Sequence, residues 1–124
     1  MPSGKGDQSL LEAAAERNPT KEEADELRAF MLRTADTEGL APVFDKCAFD
    51  VLLGPADSEL CDYATTARYP CCTMPLGQLN DRGRPFGLIA IARPGREMDL
   101  IRVMSAWEKT FPVRAVPDMD ALPV

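Results

Sequence analysis

Because the chain contains no histidine, any acid–base chemistry must use Asp, Glu, Lys, Tyr, Cys or backbone groups. Asp50 stands inside the otherwise apolar segment CAFDVLL (Cys47 to Leu53), which we interpret as a buried strand. Burial would raise the pKa of this carboxyl group and let it act as an acid or a base; the alternative is a hydrogen-bonded structural carboxylate near a strand end. Tyr63, in the polar segment that follows, is a second candidate proton donor. Ser-His and Cys-His pairs cannot form within this chain.

Two adjacent cysteines lie in the segment YPCCTMPLG. Strand alternation would direct Cys71 and Thr73 to one face of a sheet and Cys72 and Met74 to the other. Either these are small packing residues, or they line a pocket in which Cys71 is catalytic and the other three contact a substrate. In a cytosolic protein the thiols are expected to be reduced. Because the cysteines lack paired CxxC spacing and the chain has no histidine, we expect no metal site and no cofactor.

A polar turn and a tryptophan complete the set of candidate residues. Asn80 and Arg84 belong to the turn NDRGR, which is either a solvated loop or a pocket rim where arginine binds an anion. Trp107 is either a core anchor or a pocket wall. We therefore add Asn80, Arg84 and Trp107 to the predicted substrate-binding residues.

The elements that must position these side chains lie mostly between residues 69 and 111. We predict a strand over Pro70–Met74, a turn over Gln78–Arg84, a central strand over Phe86–Ala92 that is apolar on both faces, and a helix over Glu97–Thr110. Gly87 predicts close approach of another backbone. The core-facing stripe of the helix consists of Leu100, Met104, Trp107 and Phe111.

The N-terminal half is predicted to be helical. A short helix over Gln8–Glu16 precedes a capping box of Thr20 and Glu23, which starts a helix from Lys21 to Glu38 that ends at Gly39. Its apolar face consists of Ala24, Leu27, Met31 and Ala35.

Composition bounds the class of protein. The 124 residues include 14 basic and 20 acidic side chains, a net charge of −6 that argues against nucleic acid as a partner. We find no apolar run that would cross a bilayer and no apolar signal core, so we expect a cytoplasmic protein. The expected fold class is α/β (α+β), with a small β-sheet of three to four strands packed by helices. We predict a flexible segment over 1–17, one domain over 18–117 and an extended tail over 118–124.

Four motifs together resemble the C-terminal part of amidase signature family enzymes, especially those of fungi. They are DVLLGPA (Asp50–Ala56), YPCCTMPLG (Tyr69–Gly77), GRPFGL (Gly83–Leu88) and MSAWEKTFPVRAVP (Met104–Pro117). The resemblance implies a mixed sheet flanked by helices. The family's Ser-Ser-Lys triad lies in a Gly/Ser-rich loop that this chain lacks, so no catalytic residue is carried over. What remains implied is an acyl pocket near the two cysteines without its nucleophile.

Three functions follow as hypotheses. The first is a stand-alone protein that binds a small apolar molecule, with a non-hydrolytic cyclase or isomerase of secondary metabolism as its catalytic form. The second is a non-catalytic interaction subunit, or a fragment that completes a larger amidase. The third is an amide hydrolase with a cysteine nucleophile. Because a partial sheet keeps an open edge and an uncovered apolar face, we expect a homo-oligomer (a dimer) or a larger partner chain.

Overall fold

The computed structural model describes residues 8–79 and 84–111. The chain divides into two compact units, residues 1–30 and 31–124. In chain order the elements are α1 (Ser9–Glu16), α2 (Lys21–Leu32), a π-helical segment (Arg33–Leu40), α3 (Ala41–Cys47), β1 (Val51–Pro55), α4 (Leu60–Ala67), β2 (Cys71–Gln78), β3 (Pro85–Ala92) and α5 (Glu97–Thr110). The predicted tail over 118–124 and the turn residue Asn80 lie outside the described residues.

The start of α2 is the predicted capping box. The backbone N–H of Glu23 donates to Thr20 Oγ1 at 3.2 Å, and the N–H of Thr20 donates to Glu23 Oε2 at 2.9 Å. Both amides would otherwise lack partners at the helix start. The apolar face predicted for this helix is correct only in part: Ala35, in the π-helical segment that follows α2, is buried, whereas Leu27 and Met31 are exposed.

The prediction that the helix ends at Gly39 is wrong. Gly39 lies inside the π-helical segment, which follows α2 and continues directly into α3. Gly39 does not have a positive φ. A Cβ atom at this position would lie 2.8 Å from the carbonyl oxygen of Thr34 and 3.3 Å from the ring of Tyr63. Glycine is thus required here by close packing rather than by a left-handed turn.

The left-handed conformation occurs instead at Ala48, with φ 51°, directly after α3. This turn ends the helix at Cys47, and β1 begins only at Val51. The predicted strand over 47–53 was therefore placed too early, and Asp50 lies in the bend that precedes β1.

The three strands form an antiparallel sheet in the order β1-β3-β2, so the predicted fold class is confirmed and β3 is central as predicted. Leu52 and Cys71 both pair with Ile91, one from each side. The described strands include no parallel pair, in contrast to the predicted mixed sheet. A short connection joins β2 to β3, closed by a 2.9 Å hydrogen bond from Leu79 N–H to the Arg84 carbonyl, and such connections favour antiparallel pairing.

Both faces of β3 are buried, as its sequence predicts. Ile89 and Ile91 join the cluster formed by the π-helical segment, α3 and α4, while Ala90 and Ala92 pack beneath α5. A Cβ atom on Gly87 would lie 2.5 Å from the carbonyl oxygen of Met74, which confirms the predicted close approach of another backbone.

The predicted bounds of α5 are confirmed, and its predicted core stripe is correct only in part. Leu100 is buried and Trp107 packs against the same cluster, whereas Met104 and Phe111 are exposed. The rings of Trp107 and Phe111 stack with their centroids 3.8 Å apart, so Phe111 covers Trp107 rather than the sheet.

Candidate functional site

Asp50 is not the buried carboxylate that the sequence suggested. Its side chain is 79% exposed, and one of its oxygens lies 3.5 Å from Nη2 of Arg96. The left-handed turn at Ala48 moves this residue out of the strand and into a solvent-facing bend. The prediction of an acid or base created by burial is therefore wrong.

The buried carboxylate of the described chain is Asp99, in the first turn of α5. It accepts hydrogen bonds from Arg96 Nε at 2.6 Å and from Arg102 Nη1 at 3.0 Å. The hydrogen bond from Arg96 and the positive charges of both arginines lower the pKa of Asp99. The sequence signal for this cluster was the position of the two arginines, three residues before and three residues after Asp99. Because both carboxylate oxygens already have partners, the arrangement indicates a structural ion cluster.

Tyr63, the predicted proton donor, lies on α4 with its ring against Gly39 and is partly exposed. The tyrosine in a specific polar contact is instead Tyr69, which is buried and donates from its hydroxyl to Asp36 Oδ1 at 2.9 Å. Burial and then the Asp36 carboxylate raise the pKa of Tyr69 to about 12. The phenol consequently stays protonated and joins the π-helical segment to the chain just before β2.

The cysteine segment alternates as predicted. Cys71 and Thr73 are exposed on one face of β2, while Cys72 is half-buried and Met74 is buried on the face beneath α5. Burial raises the pKa of the Cys72 thiol, so its nucleophilic thiolate form is disfavoured. Met74 is a core residue.

The predicted catalytic residues do not come together. Asp50 precedes β1 and Cys71 begins β2, and these strands flank β3 on opposite sides. Two strand spacings separate them, roughly 10 Å.

Trp107 is on α5 and packs against the sheet, where its indole N–H donates to the carbonyl oxygen of Pro75 at 3.0 Å. Its role is to anchor α5, in agreement with the core interpretation.

A groove of about 490 Å³ lies where the end of β1 meets the β2–β3 hairpin. Of the predicted site residues, Arg84 lines it; Asn80 is outside the described residues. The full lining consists of Pro55, Asp57, Leu76, Leu79, Arg84, Pro85, Phe86, Gly87 and Leu88. This wall is largely apolar, with one carboxylate and one guanidinium group.

A β-bulge shapes the groove. Pro75 pairs with Gly87 and Gly77 pairs with Phe86, so Leu76 is the extra residue of β2 and has no partner on β3. A bulge re-aims the side chain that it carries, which brings Leu76 to the groove wall. Leu76, Phe86 and Asp57 were not predicted as site residues, although the segment PLG inside a strand is a bulge signal.

The charge of Arg84 is not neutralised within the described part of the chain. The six ion pairs found there join five carboxylates to other arginines, and none includes Arg84. A guanidinium group at the rim of an apolar wall is suited to binding a carboxylate, sulfonate or phosphate group of a ligand.

Comparisons with family models, curated proteins and solved structures found no match for this chain. Over residues 8–79 and 84–111, no group of three or more Cys, Asp or Glu side chains has the arrangement needed to hold a metal ion. None of the helices in these ranges is long and apolar enough to cross a membrane.

Proposed function

We propose that this chain binds a small molecule with an apolar body and one anionic group in the groove at the β2–β3 hairpin. The observation that carries the proposal is the position of Arg84 at a largely apolar wall that includes Leu76 and Phe86. Both of these apolar side chains are partly exposed, so a ligand would remove apolar surface from water on binding.

The size and charge of the groove define the class of ligand. A volume of about 490 Å³ falls within the range of small-molecule sites in proteins. Arg84 would pair with the anionic group, and Asp57 on the same wall disfavours a second negative charge. The ligand class is therefore an amphipathic monoanion rather than a nucleotide with several phosphates.

A non-hydrolytic reaction is the catalytic form of this proposal. A groove can promote cyclisation or isomerisation by holding a flexible substrate in a reactive conformation. Asp57 is the carboxylate at the groove and would serve as its acid or base, in place of Asp50 and Cys71. Turnover of a bound compound without release of an amine or ammonia is the result expected of such an enzyme.

Ancestry in the amidase signature family remains a proposal that rests on the four motifs in the sequence. Hydrolysis of amides by this chain alone is less well supported than binding. Ser58, one of the described serines, donates its hydroxyl to the Pro55 carbonyl at 2.6 Å. Cys72 is disfavoured as a thiolate, and the chain has no histidine to activate a nucleophile. Its four free cysteines fit the reducing cytoplasm, which we propose as its location.

An interaction subunit is the second candidate function. It is supported by the apolar side chains that α5 leaves exposed, in particular Met98 at 60% and Ile101 at 54% of their surface. Patches of this kind often mark contacts with another protein. Native mass spectrometry of protein purified from its own source separates the two candidates, since bound small-molecule mass supports the first and a larger protein chain supports the second.

Two fluorescent probes test the proposed site. Anilinonaphthalene sulfonate carries an apolar body and one anion, and phenylnaphthylamine is its neutral analogue. We expect the native protein to bind the sulfonate more tightly, and we expect Arg84→Gln to weaken the binding of the sulfonate about tenfold while leaving that of the neutral probe unchanged.

Leu76→Ser should weaken the binding of both probes, because it removes part of the apolar wall that both probes contact. Arg17→Gln is the matched control, since it removes one positive charge from a residue that does not line the groove. An equal loss of affinity for the sulfonate probe in the Arg84 and Arg17 variants would contradict the proposal and indicate a general charge effect.

A further inference from the structure

The outer edge of β2 presents backbone groups whose direction follows from the pairing with β3. Ala92 N–H donates to the Pro70 carbonyl at 3.1 Å, so Pro70 and Ala92 form a hydrogen-bonded pair. Such pairs alternate along antiparallel strands, and the register then makes Cys72 and Met74 the next inward-facing residues. The N–H and C=O groups of Cys71 and Thr73 consequently point away from β3 and lie on the open edge of the sheet.

At both ends of this edge, the neighbouring residues Pro75 and Tyr69 have no N–H group to offer for pairing. Pro75 has no N–H, and its carbonyl accepts the indole N–H of Trp107 at 3.0 Å. At the other end, Tyr69 donates its N–H to the Ala64 carbonyl at 2.9 Å. Among the described residues, the open positions of β2 before Pro75 are therefore Cys71 and Thr73, each with one N–H and one C=O group.

The side chains of β2 itself offer little protection against pairing along this edge. Residues 69–78 include no charged side chain, whereas natural edge strands are commonly protected by charge. Cys71 and Thr73 are exposed, and both are small. The protective devices in β2 are Pro75 and the bulge after it, and both lie beyond the open edge.

We propose that β2 pairs antiparallel with β2 of a second copy of this chain, about a two-fold axis through Cys72. Cys71 of each copy then lies opposite Thr73 of the other, and their outward groups form four hydrogen bonds. In this register Tyr69 of one copy lies opposite Pro75 of the other. Neither position has an unpaired N–H, so the pairing buries no unsatisfied donor at its ends.

This match is what selects a second copy as the occupant of the edge. A two-fold axis makes any contact self-complementary. Here Cys71 and Thr73, whose backbone groups are open, lie opposite each other, and Tyr69 and Pro75, which have no N–H group to offer, also lie opposite each other. The dimer has a continuous six-stranded antiparallel sheet. The proposal is independent of the proposed ligand, since the residues of β2 and β3 that line the groove come after Pro75 along the chain.

Disulfide trapping tests the register. We would use a variant in which Cys47 and Cys61 are replaced by Ser and Cys72 by Ala, so that Cys71 is the remaining thiol. Adding Thr73→Cys should give a covalent dimer under mild oxidation, because directly opposed residues in a sheet are within disulfide range. Cys71 alone should remain monomeric in a denaturing gel, because the two copies of Cys71 lie on a diagonal of about 7–8 Å.

A cysteine on the other edge of the sheet is the matched control. Leu53→Cys in the same background places an exposed thiol on β1 and should trap little dimer. Equal trapping by Leu53→Cys would indicate random collision and overturn the proposal. Trapping by Cys71 alone would overturn the register.

A second measurement does not use thiols. Thr73→Pro removes an outward N–H without removing a hydrogen bond to β3, and we expect it to weaken the dimer at least tenfold in sedimentation equilibrium. Thr73→Val keeps the N–H and should preserve the dimer, and circular dichroism checks that both variants remain folded. A native chain that stays monomeric at millimolar concentration, or that pairs this edge with a different protein, would overturn the proposal.

Discussion

Residues of one chemical type have different roles in this chain because their surroundings differ. Asp50 is exposed and has one distant partner, while Asp99 is buried and bonded to two arginines. Cys71 and Cys72 are adjacent in sequence, yet one faces solvent and the other packs beneath α5. The chemistry open to each side chain is set by the element that carries it and by the face on which it lies.

Gly87 is expected to be intolerant of any side chain. Gly87→Ala would place a Cβ atom 2.5 Å from the Met74 carbonyl oxygen in the paired strand, and this backbone cannot move without disturbing the sheet. We expect a loss of about 1–3 kcal/mol in the free energy of unfolding, measured by urea denaturation. Gly77→Ala is the control, because its Cβ atom would meet the Phe86 ring at an ordinary 3.5 Å. Equal stability of the two variants would contradict this account.

Tyr69 makes stability depend on alkaline pH. The folded protein keeps its phenol protonated up to a pKa of about 12, whereas an unperturbed tyrosine loses its proton at about 10. Between these values the unfolded chain binds fewer protons, so the free energy of unfolding falls as pH rises. The contribution is fully present below pH 10.

Tyr69→Phe should remove this dependence on pH, and it should cost about 1 kcal/mol at neutral pH through the lost hydrogen bond to Asp36. Denaturation followed from pH 8 to pH 11.5 measures both effects. Tyr63→Phe, in the partly exposed tyrosine of α4, is the control and should retain the alkaline loss of the native protein.

At the scale of elements, left-handed residues decide where two helices stop. Ala48 ends α3 with φ 51°, and Arg68 ends α4 with φ 62°. The N–H of Arg68 still reaches the carbonyls of Ala64 and Thr65, so the backbone is satisfied although the residue is not glycine. These ends direct the chain into β1 and β2.

Ala48→Gly is expected to stabilise the protein. The left-handed conformation is unfavourable for alanine and costs glycine nothing sterically, so we expect a gain of about 0.5–1 kcal/mol in thermal or urea denaturation. Ala41→Gly, at the right-handed start of the same helix, should instead cost about 1 kcal/mol. A loss of stability in Ala48→Gly comparable to that in Ala41→Gly would contradict the assigned helix end.

At the scale of the molecule, the second unit is organised in layers around β3. The π-helical segment, α3 and α4 cover one face of the sheet through Ile89 and Ile91, and α5 covers the other through Ala90 and Ala92. β1 and β2 are both edges of the sheet. The proposed dimer would turn one of these edges into the centre of a larger sheet.

Amide hydrogen exchange should reveal this arrangement. We expect the amides of Ile89–Ala92 to exchange most slowly, since they are central and buried on both faces. The outward amides of Cys71 and Thr73 should exchange rapidly in dilute protein and become protected as the concentration rises. Protection of these two amides that does not depend on concentration would contradict both the edge assignment and the dimer.

Local signals in the sequence determined several elements. The capping box of Thr20 and Glu23, the bounds of α5 and the apolar run of β3 depend on neighbours within a few residues, and all three were predicted. The alternation of the cysteine segment follows from the strand period alone. Gly87 indicated a close backbone because glycine has no other advantage in a central strand.

Only the tertiary structure decided the site. Whether Asp50 is buried depends on a left-handed turn at Ala48, where no glycine marks it, and the sequence pattern favoured a longer strand. The groove forms because the bulge at Leu76 faces residues that are close in space and more distant along the chain, such as Asp57. Spacing along a chain fixes which face a residue occupies, but contacts between separate elements determine what that face meets.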